Sequence, residues 1–143
     1  MMMSAAIDLS DVEIPRSVGA RIWTGRVLSA IAVLFLTMDA AMKLLRVPAA
    51  VKGTVELGYH DSVLVPLGII QIVALILYLI PRTSNLGALI WTGYLGGAIA
   101  THVRLENPLF THILFPVYVA ALLWGGLALR DRRVVNFFIN KER

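Results

Sequence analysis

Asp39 and Lys43 lie one helical turn apart in the run Ile22 to Leu45, which is otherwise apolar and long enough to cross a bilayer. An ionised side chain at the bilayer centre costs about 2.5–3.5 kcal/mol on insertion scales, so charge in such a place is a functional candidate by default. Residues at i, i+4 and i+7 share a helix face, which puts Asp39, Lys43 and Arg46 on one stripe. At about 1.5 Å per residue, Asp39 sits roughly 9 Å inward of Leu45, too deep for its short stem to reach water. It needs a buried partner, and Lys43 is the nearest cation.

A second stripe is expected to meet the first. Trp91, Tyr94, Leu95, Ala98 and His102 follow three- and four-residue steps, so a helix there carries His102 to the same end of the molecule as Asp39 and Lys43. Thr101, Arg104, Glu106 and His112 crowd that end, Glu56 and His60 can close it from a loop, and Gln71 is the one polar group of its own span, near mid-depth. The chemistry such a set allows is binding of a small lipophilic molecule. Asp39, Lys43 and His102 are the candidate catalytic groups, Lys43 donating to a carbonyl and His102 exchanging a proton. Trp91, Tyr94, Leu95, Gln71, Arg104 and His112 are the candidate ligand-binding residues.

Plainer readings stand beside these: the ion pair as structural glue, Trp91 and Tyr94 as core packing, Gln71 as an interhelical hydrogen bond, and both histidines as helix-end residues. Convergence of several groups on one end is what favours a site. No metal site is expected, because no pair of candidate ligands has the i, i+3 or i, i+4 spacing of helical metal centres. Haem between His102 and His112 is disfavoured by their place at the rim.

The elements that must position these groups follow from composition. At 143 residues, 58% hydrophobic and mean hydropathy +0.77, the chain is too apolar for a small soluble domain. Four stretches, about 22–45, 63–80, 86–103 and 109–129, approach or exceed the length needed to span the hydrocarbon. Inside lipid, segments of this length satisfy their backbone only as helices. The fold class is therefore all-α, an integral membrane antiparallel four-helix bundle over residues 21–130, flanked by a tail at 1–20 and a basic tail at 131–143.

Met1 to Val18 holds Asp8, Asp11 and Glu13 ahead of its first arginine and has neither a basic n-region nor a small-residue cleavage site, so it reads as a tail rather than a signal peptide. The chain contains no cysteine, which excludes disulfides, thiol relays and thioether-linked haem. Arg16, Arg21, Arg26, Arg82, Arg130, Arg132, Arg133, Lys141 and Arg143 fall on one face, and only Lys43, Arg46, Lys52 and Arg104 on the other. That bias puts both termini in the cytoplasm and the polar centre in the outer half of the bilayer. The positive charge is a topological signal, and nucleic acid is not an expected partner.

Pro81 with Thr83, Ser84 and Asn85 is expected to end the second span and cap the third, and Asn107 with Pro108 to open the fourth. Pro116 is expected to kink the fourth span. The longer connection from Arg46 to Asp61, with its amphipathic run Ala49 to Leu57, reads as an interfacial cap. Gly93 and Gly97, with Gly96 and Ala100 beside them, predict either close helix packing within the bundle or a face for a homodimer or a redox-complex partner.

The run Asn85-Leu-Gly-Ala-Leu-Ile-Trp-Thr-Gly-Tyr-Leu-Gly-Gly-Ala-Ile-Ala-Thr-His-Val-Arg104, with the Asp39-to-Lys43 ending of the first helix, resembles the DoxX-like family of small four-helix membrane proteins. The resemblance covers roughly Arg21 to Arg132. It implies a multi-pass protein of the cytoplasmic membrane, loosely linked to respiratory or redox complexes and quinones, which leaves the cofactor open with quinone as a candidate. The leading expectation is a quinone- or isoprenoid-sized lipophile held for redox or proton-transfer chemistry. The alternative is a non-catalytic accessory subunit whose ion pair only stabilises the bundle. Transport ranks third, since four helices without an internal repeat offer little for alternating access.

Overall fold

The computed structural model describes residues 16–139. Residues 1–15 of the expected N-terminal tail, and Lys141 and Arg143 of the expected C-terminal one, lie outside the described residues. Among the described residues all regular structure is helical. Four segments are long and apolar enough to cross a membrane, Val18–Leu44, Asp61–Leu79, Ser84–Arg104 and Leu109–Arg130.

The spans are built on helices α1 (Arg16–Leu44), α3 (Leu64–Leu79), α4 (Ser84–Arg104) and α5 (Phe115–Arg130). A short helix, α2 (Pro48–Glu56), lies between the first two, and α6 (Arg132–Ile139) follows the last. The spans pack as an antiparallel ring in the order α1, α3, α4, α5, each touching the next and α5 closing back on α1. Short connections enforce this arrangement. α2 therefore sits at one end of the ring, the cap end, and α6 at the other.

Tight crossings are made by small residues, but not by the pair the sequence singles out. A Cβ added to Gly25 would lie 2.9 Å from the Gly126 carbonyl oxygen, and one added to Gly126 would lie 2.8 Å from the Ser29 nitrogen. Gly25 and Ser29, four residues apart on α1, thus let α1 and α5 touch backbone to backbone. Gly87 does the same between α4 and α3, where a Cβ would meet the Ala74 carbonyl oxygen at 2.8 Å. At Gly93, Gly96 and Gly97 nothing lies within 4 Å of an added Cβ. The expectation of close packing there within the bundle is corrected: these glycines border open space.

The end opposite the cap is closed by polar side chains that satisfy one another. Tyr78 is fully buried and donates to the Leu123 carbonyl at 2.8 Å, while Ser29 Oγ lies 3.0 Å from its hydroxyl. Arg130 lies over the Tyr78 ring, 4.9 Å from its centroid, and Arg21 donates to the Ala128 carbonyl at 3.2 Å. α6 occupies most of the segment read from sequence as a tail, with Val134 buried.

Helix boundaries at two loops differ from expectation. Thr83 precedes α4 but does not cap it; its hydroxyl instead donates to the Leu77 carbonyl at 2.9 Å, satisfying the end of α3. Before α5 comes a π-helical turn, Leu109–Ile113, and α5 itself starts at Phe115. Pro116 therefore falls in the first turn of a new helix, where its missing N–H has no intrahelical role, rather than at a kink in a continuous one.

Candidate functional site

Three helices end at the cap end in the same way. The N–H of Val47 reaches the Met42 carbonyl at 3.0 Å and that of Arg46 reaches Lys43 at 3.2 Å, with Arg46 in the left-handed region at φ 51°. The pattern repeats where α4 ends, at Glu106 (φ 53°), and where α2 ends, at Gly58 (φ 81°). Only Gly58 adopts that conformation without steric penalty. At α4 the reversal folds Asn107 back onto His102: its backbone N–H meets the His102 carbonyl at 3.1 Å and its side-chain amide donates to His102 Nδ1 at 3.0 Å. With Nδ1 accepting, the neutral ring carries its hydrogen on Nε2.

Asp39 and Lys43 are paired on α1 as their spacing requires. The carboxylate has a second partner: Gln71 Nε2, from α3, donates to the same oxygen, Oδ2, at 2.5 Å. The exposures correct the depth argument, which puts Asp39 out of reach of open space and Lys43 toward water. The Lys43 side chain is 15% exposed and that of Asp39 35%, so the carboxylate, more than the ammonium, faces open space.

That space is a cavity of about 570 Å³ between the cap-end halves of the four spans. Asp39, Lys43 and Gln71 form one wall, with Phe35 and Leu36 deeper along α1. Tyr94, Leu95, Ala98, Thr101 and His102 line it from α4, and Phe115, Pro116 and Val119 from α5. Gly93 and Gly97 are exposed and also line it, as do Val63 and Leu67 of the facing α3 segment. The cavity thus reaches the outer surface of the bundle between α3 and α4. A second hollow of about 610 Å³ adjoins it beneath α2 and shares Asp39, Lys43 and His102. The charged pair and the imidazole therefore stand at the junction of an apolar chamber and a polar antechamber.

The cap is fastened over both. Thr101 donates its one hydroxyl hydrogen to the Gly97 carbonyl at 2.9 Å, so Tyr59, 2.7 Å away, donates to Thr101. Arg104 donates to the Leu57 carbonyl at 2.8 Å, and Arg46 meets Asp61 at 2.5 Å. These links place several predicted residues. Asp39, Lys43, His102, Tyr94, Leu95 and Gln71 come together on one cavity. Trp91 does not line it: fully buried, it backs Tyr94 edge to face with ring centroids 5.4 Å apart. Arg104 serves the cap. His112 lines only the antechamber and packs against His102, ring centroids 5.5 Å apart. His60 points into solvent, with its side chain 82% exposed.

Tyr59, Phe35 and Phe115 are the aromatic wall residues that sequence reasoning missed, alongside aliphatic ones such as Leu36, Leu67 and Val119. Phe35 and Phe115 meet edge to face at 5.3 Å and close the chamber between α1 and α5. Phe35 precedes Asp39 by four residues, so the stripe carrying the ion pair could have included it. Nothing local marks Tyr59, which the cap alone brings to Thr101.

No curated protein and no solved structure matches the chain. The family comparison does: the DoxX-like family matches residues 27–126 of the 143, a stretch that holds the ion pair, the cap, Gln71, the whole of α4 and most of α5. Four spans in an antiparallel ring, with that match over most of their length, make this multi-pass membrane protein a member of the DoxX-like family.

Proposed function

We propose that this protein binds a small lipophilic molecule, of quinone or isoprenoid size, in the chamber beneath α2. The observation that carries the reading is the coincidence of a largely apolar cavity of about 570 Å³ with charged and imidazole groups at one end. Tyr94, Leu95, Phe35 and Phe115 are the apolar wall in this reading, and Asp39, Lys43, Gln71 and His102 its polar end. His102 borders both the chamber and the antechamber, a position suited to passing a proton between a bound molecule and the aqueous face. Quinone-linked redox or proton-transfer chemistry is the corresponding activity.

The charge bias further supports placing the chain in the cytoplasmic membrane with both termini inside, which turns the cap end outward. Residues 21–130 are then the membrane domain.

An accessory-subunit reading is favoured by one observation: Asp39 joins α1 to α3 through Gln71, as a purely structural polar contact would. Mass spectrometry of lipophiles that copurify with the detergent-extracted protein separates the two. Wild type is expected to carry a defined lipophile near one per chain, and Ala98→Phe, which intrudes on the chamber wall, to lose it while remaining helical. A wild-type protein carrying only the bulk lipids of its membrane leaves the accessory reading standing.

A further inference from the structure

The polar wall of the chamber contains a buried acceptor with nothing to accept. Gln71 is wholly buried; its Nε2 donates to Asp39, and its Oε1 has no hydrogen-bond partner. Turning the amide over offers no remedy, because Oε1 would then face the carboxylate, oxygen against oxygen. Asp39 therefore locks the amide, and the orphaned atom is the acceptor. Buried carbonyl oxygens of this kind are exceptions that call for a missing donor.

The carboxylate leans the same way. Both hydrogen bonds to Asp39 fall on Oδ2, while its side chain, 35% exposed, faces the chamber. Lys43, the donor expected from sequence to greet a ligand, is instead turned onto its own carboxylate and is 15% exposed. Across the chamber, which Asp39 also lines, the Tyr94 hydroxyl makes no hydrogen bond among the described residues. The wall thus presents surplus acceptors from α1 and α3 and one hydroxyl able to donate from α4.

We infer that the bound lipophile carries a free hydroxyl, as a long-chain alcohol or a phenol does: its O–H is given to Gln71 Oε1 or Asp39, and its oxygen accepts from Tyr94. This rests on the lipophile reading and narrows it to hydroxyl-bearing occupants, so that of a quinone couple the site takes the quinol. An ether, ester or carbonyl compound of the same shape leaves Gln71 Oε1 unpartnered and sets its own lone pairs against Asp39. Gln71 and Asp39 thereby select the functional group, and the apolar walls accept the chain.

Matched probes test this. Geraniol, farnesol and 4-nonylphenol are each compared with their methyl ethers, which keep the chain and the oxygen but lose the donor, by calorimetric titration into the full chain in nanodiscs. The alcohols or phenol of at least one pair are expected to bind about tenfold more tightly than the ether, the scale of one hydrogen bond to a buried acceptor. Gln71→Met, which keeps length but removes the acceptor, is expected to erase most of that ratio. Because Gln71 also braces Asp39, Tyr94→Phe serves as the second variant; it keeps the ring against Trp91. Since alcohol and ether both carry the oxygen that accepts from Tyr94, it is expected to weaken both and leave their ratio near the wild-type value, whereas a ratio lost with the Tyr94 hydroxyl would overturn the assignment of the donor to Gln71 and Asp39. Equal binding of hydroxyl compound and ether in wild type overturns the hydroxyl assignment and leaves the lipophile reading in place. Binding of no member of any pair overturns both.

Discussion

Asp39 receives hydrogen bonds from two directions, Lys43 on its own helix and Gln71 on α3, so its charge is balanced within α1 and its position fixed from outside it. Removing one member of such a pair strands the other in a poorly solvated site. Asp39→Asn and Lys43→Met are each expected to destabilise the protein more than the double variant does, with a coupling of about 1–2 kcal/mol, moderated by the partial exposure of Asp39. Thermal unfolding of the four proteins in one detergent measures it, and simple additivity would show that the two charges do not act as a unit. His102 is held differently, through Nδ1 to Asn107. His102→Gln preserves volume and an acceptor for Asn107, so folding is expected to survive. Any change in lipophile retention between about pH 5 and pH 8, the range over which imidazole titrates, is expected to vanish in the variant. Identical retention profiles in the two proteins would remove His102 from the site.

At the scale of elements, the glycines divide into those that touch and those that leave room. Gly126 receives α1 so closely that a methyl group there would press on Ser29, whereas Gly97 has no atom within 4 Å of an added Cβ. Gly126→Ala is expected to destabilise by roughly 1–3 kcal/mol through overpacking. Gly97→Ala is expected to be neutral or to stabilise by up to about 1 kcal/mol, because alanine restricts the unfolded chain and favours the helix. Comparable losses at both positions in circular-dichroism melts would mean that the α4 glycines pack after all. The left-handed residue at the end of α4 offers a separate test. Glu106 holds φ 53° with a side chain, so Glu106→Gly is expected to gain about 1 kcal/mol while keeping Asn107 on His102.

For the whole molecule, the antiparallel ring makes its two ends unequal. One is packed around Tyr78, Ser29 and Arg130; the other opens into the chamber and is bridged by the segment that follows α2, through Leu57, Tyr59 and Asp61. On the proposed reading function has a side, and the lysine and arginine bias predicts the outward one. Fusions after Arg143 to a cytoplasm-active and a periplasm-active reporter are expected to light only the former. A periplasm-active result would place the chamber toward the cytoplasm and overturn the outward orientation.

Membrane residence, four helices and the pairing of Asp39 with Lys43 were legible in sequence, because hydropathy, backbone satisfaction in lipid and the i, i+4 spacing are local properties that hold in any arrangement of the helices. The stripe ending in His102 was legible for the same reason. What only the tertiary structure decided is which faces meet. Gln71 reads from sequence as an interhelical hydrogen bond or a ligand-binding group, but only the ring order, which sets α3 beside α1, decides that its amide goes to Asp39. Trp91 shares a stripe with Tyr94, yet one stands on the chamber wall and the other behind it. Gly93 and Gly97 carry the spacing of a packing motif and border a cavity, whereas Gly25, Ser29 and Gly126 make the close crossing. Small residues permit approach without compelling it; whether two helices close on them depends on the side chains of a partner far away in the chain.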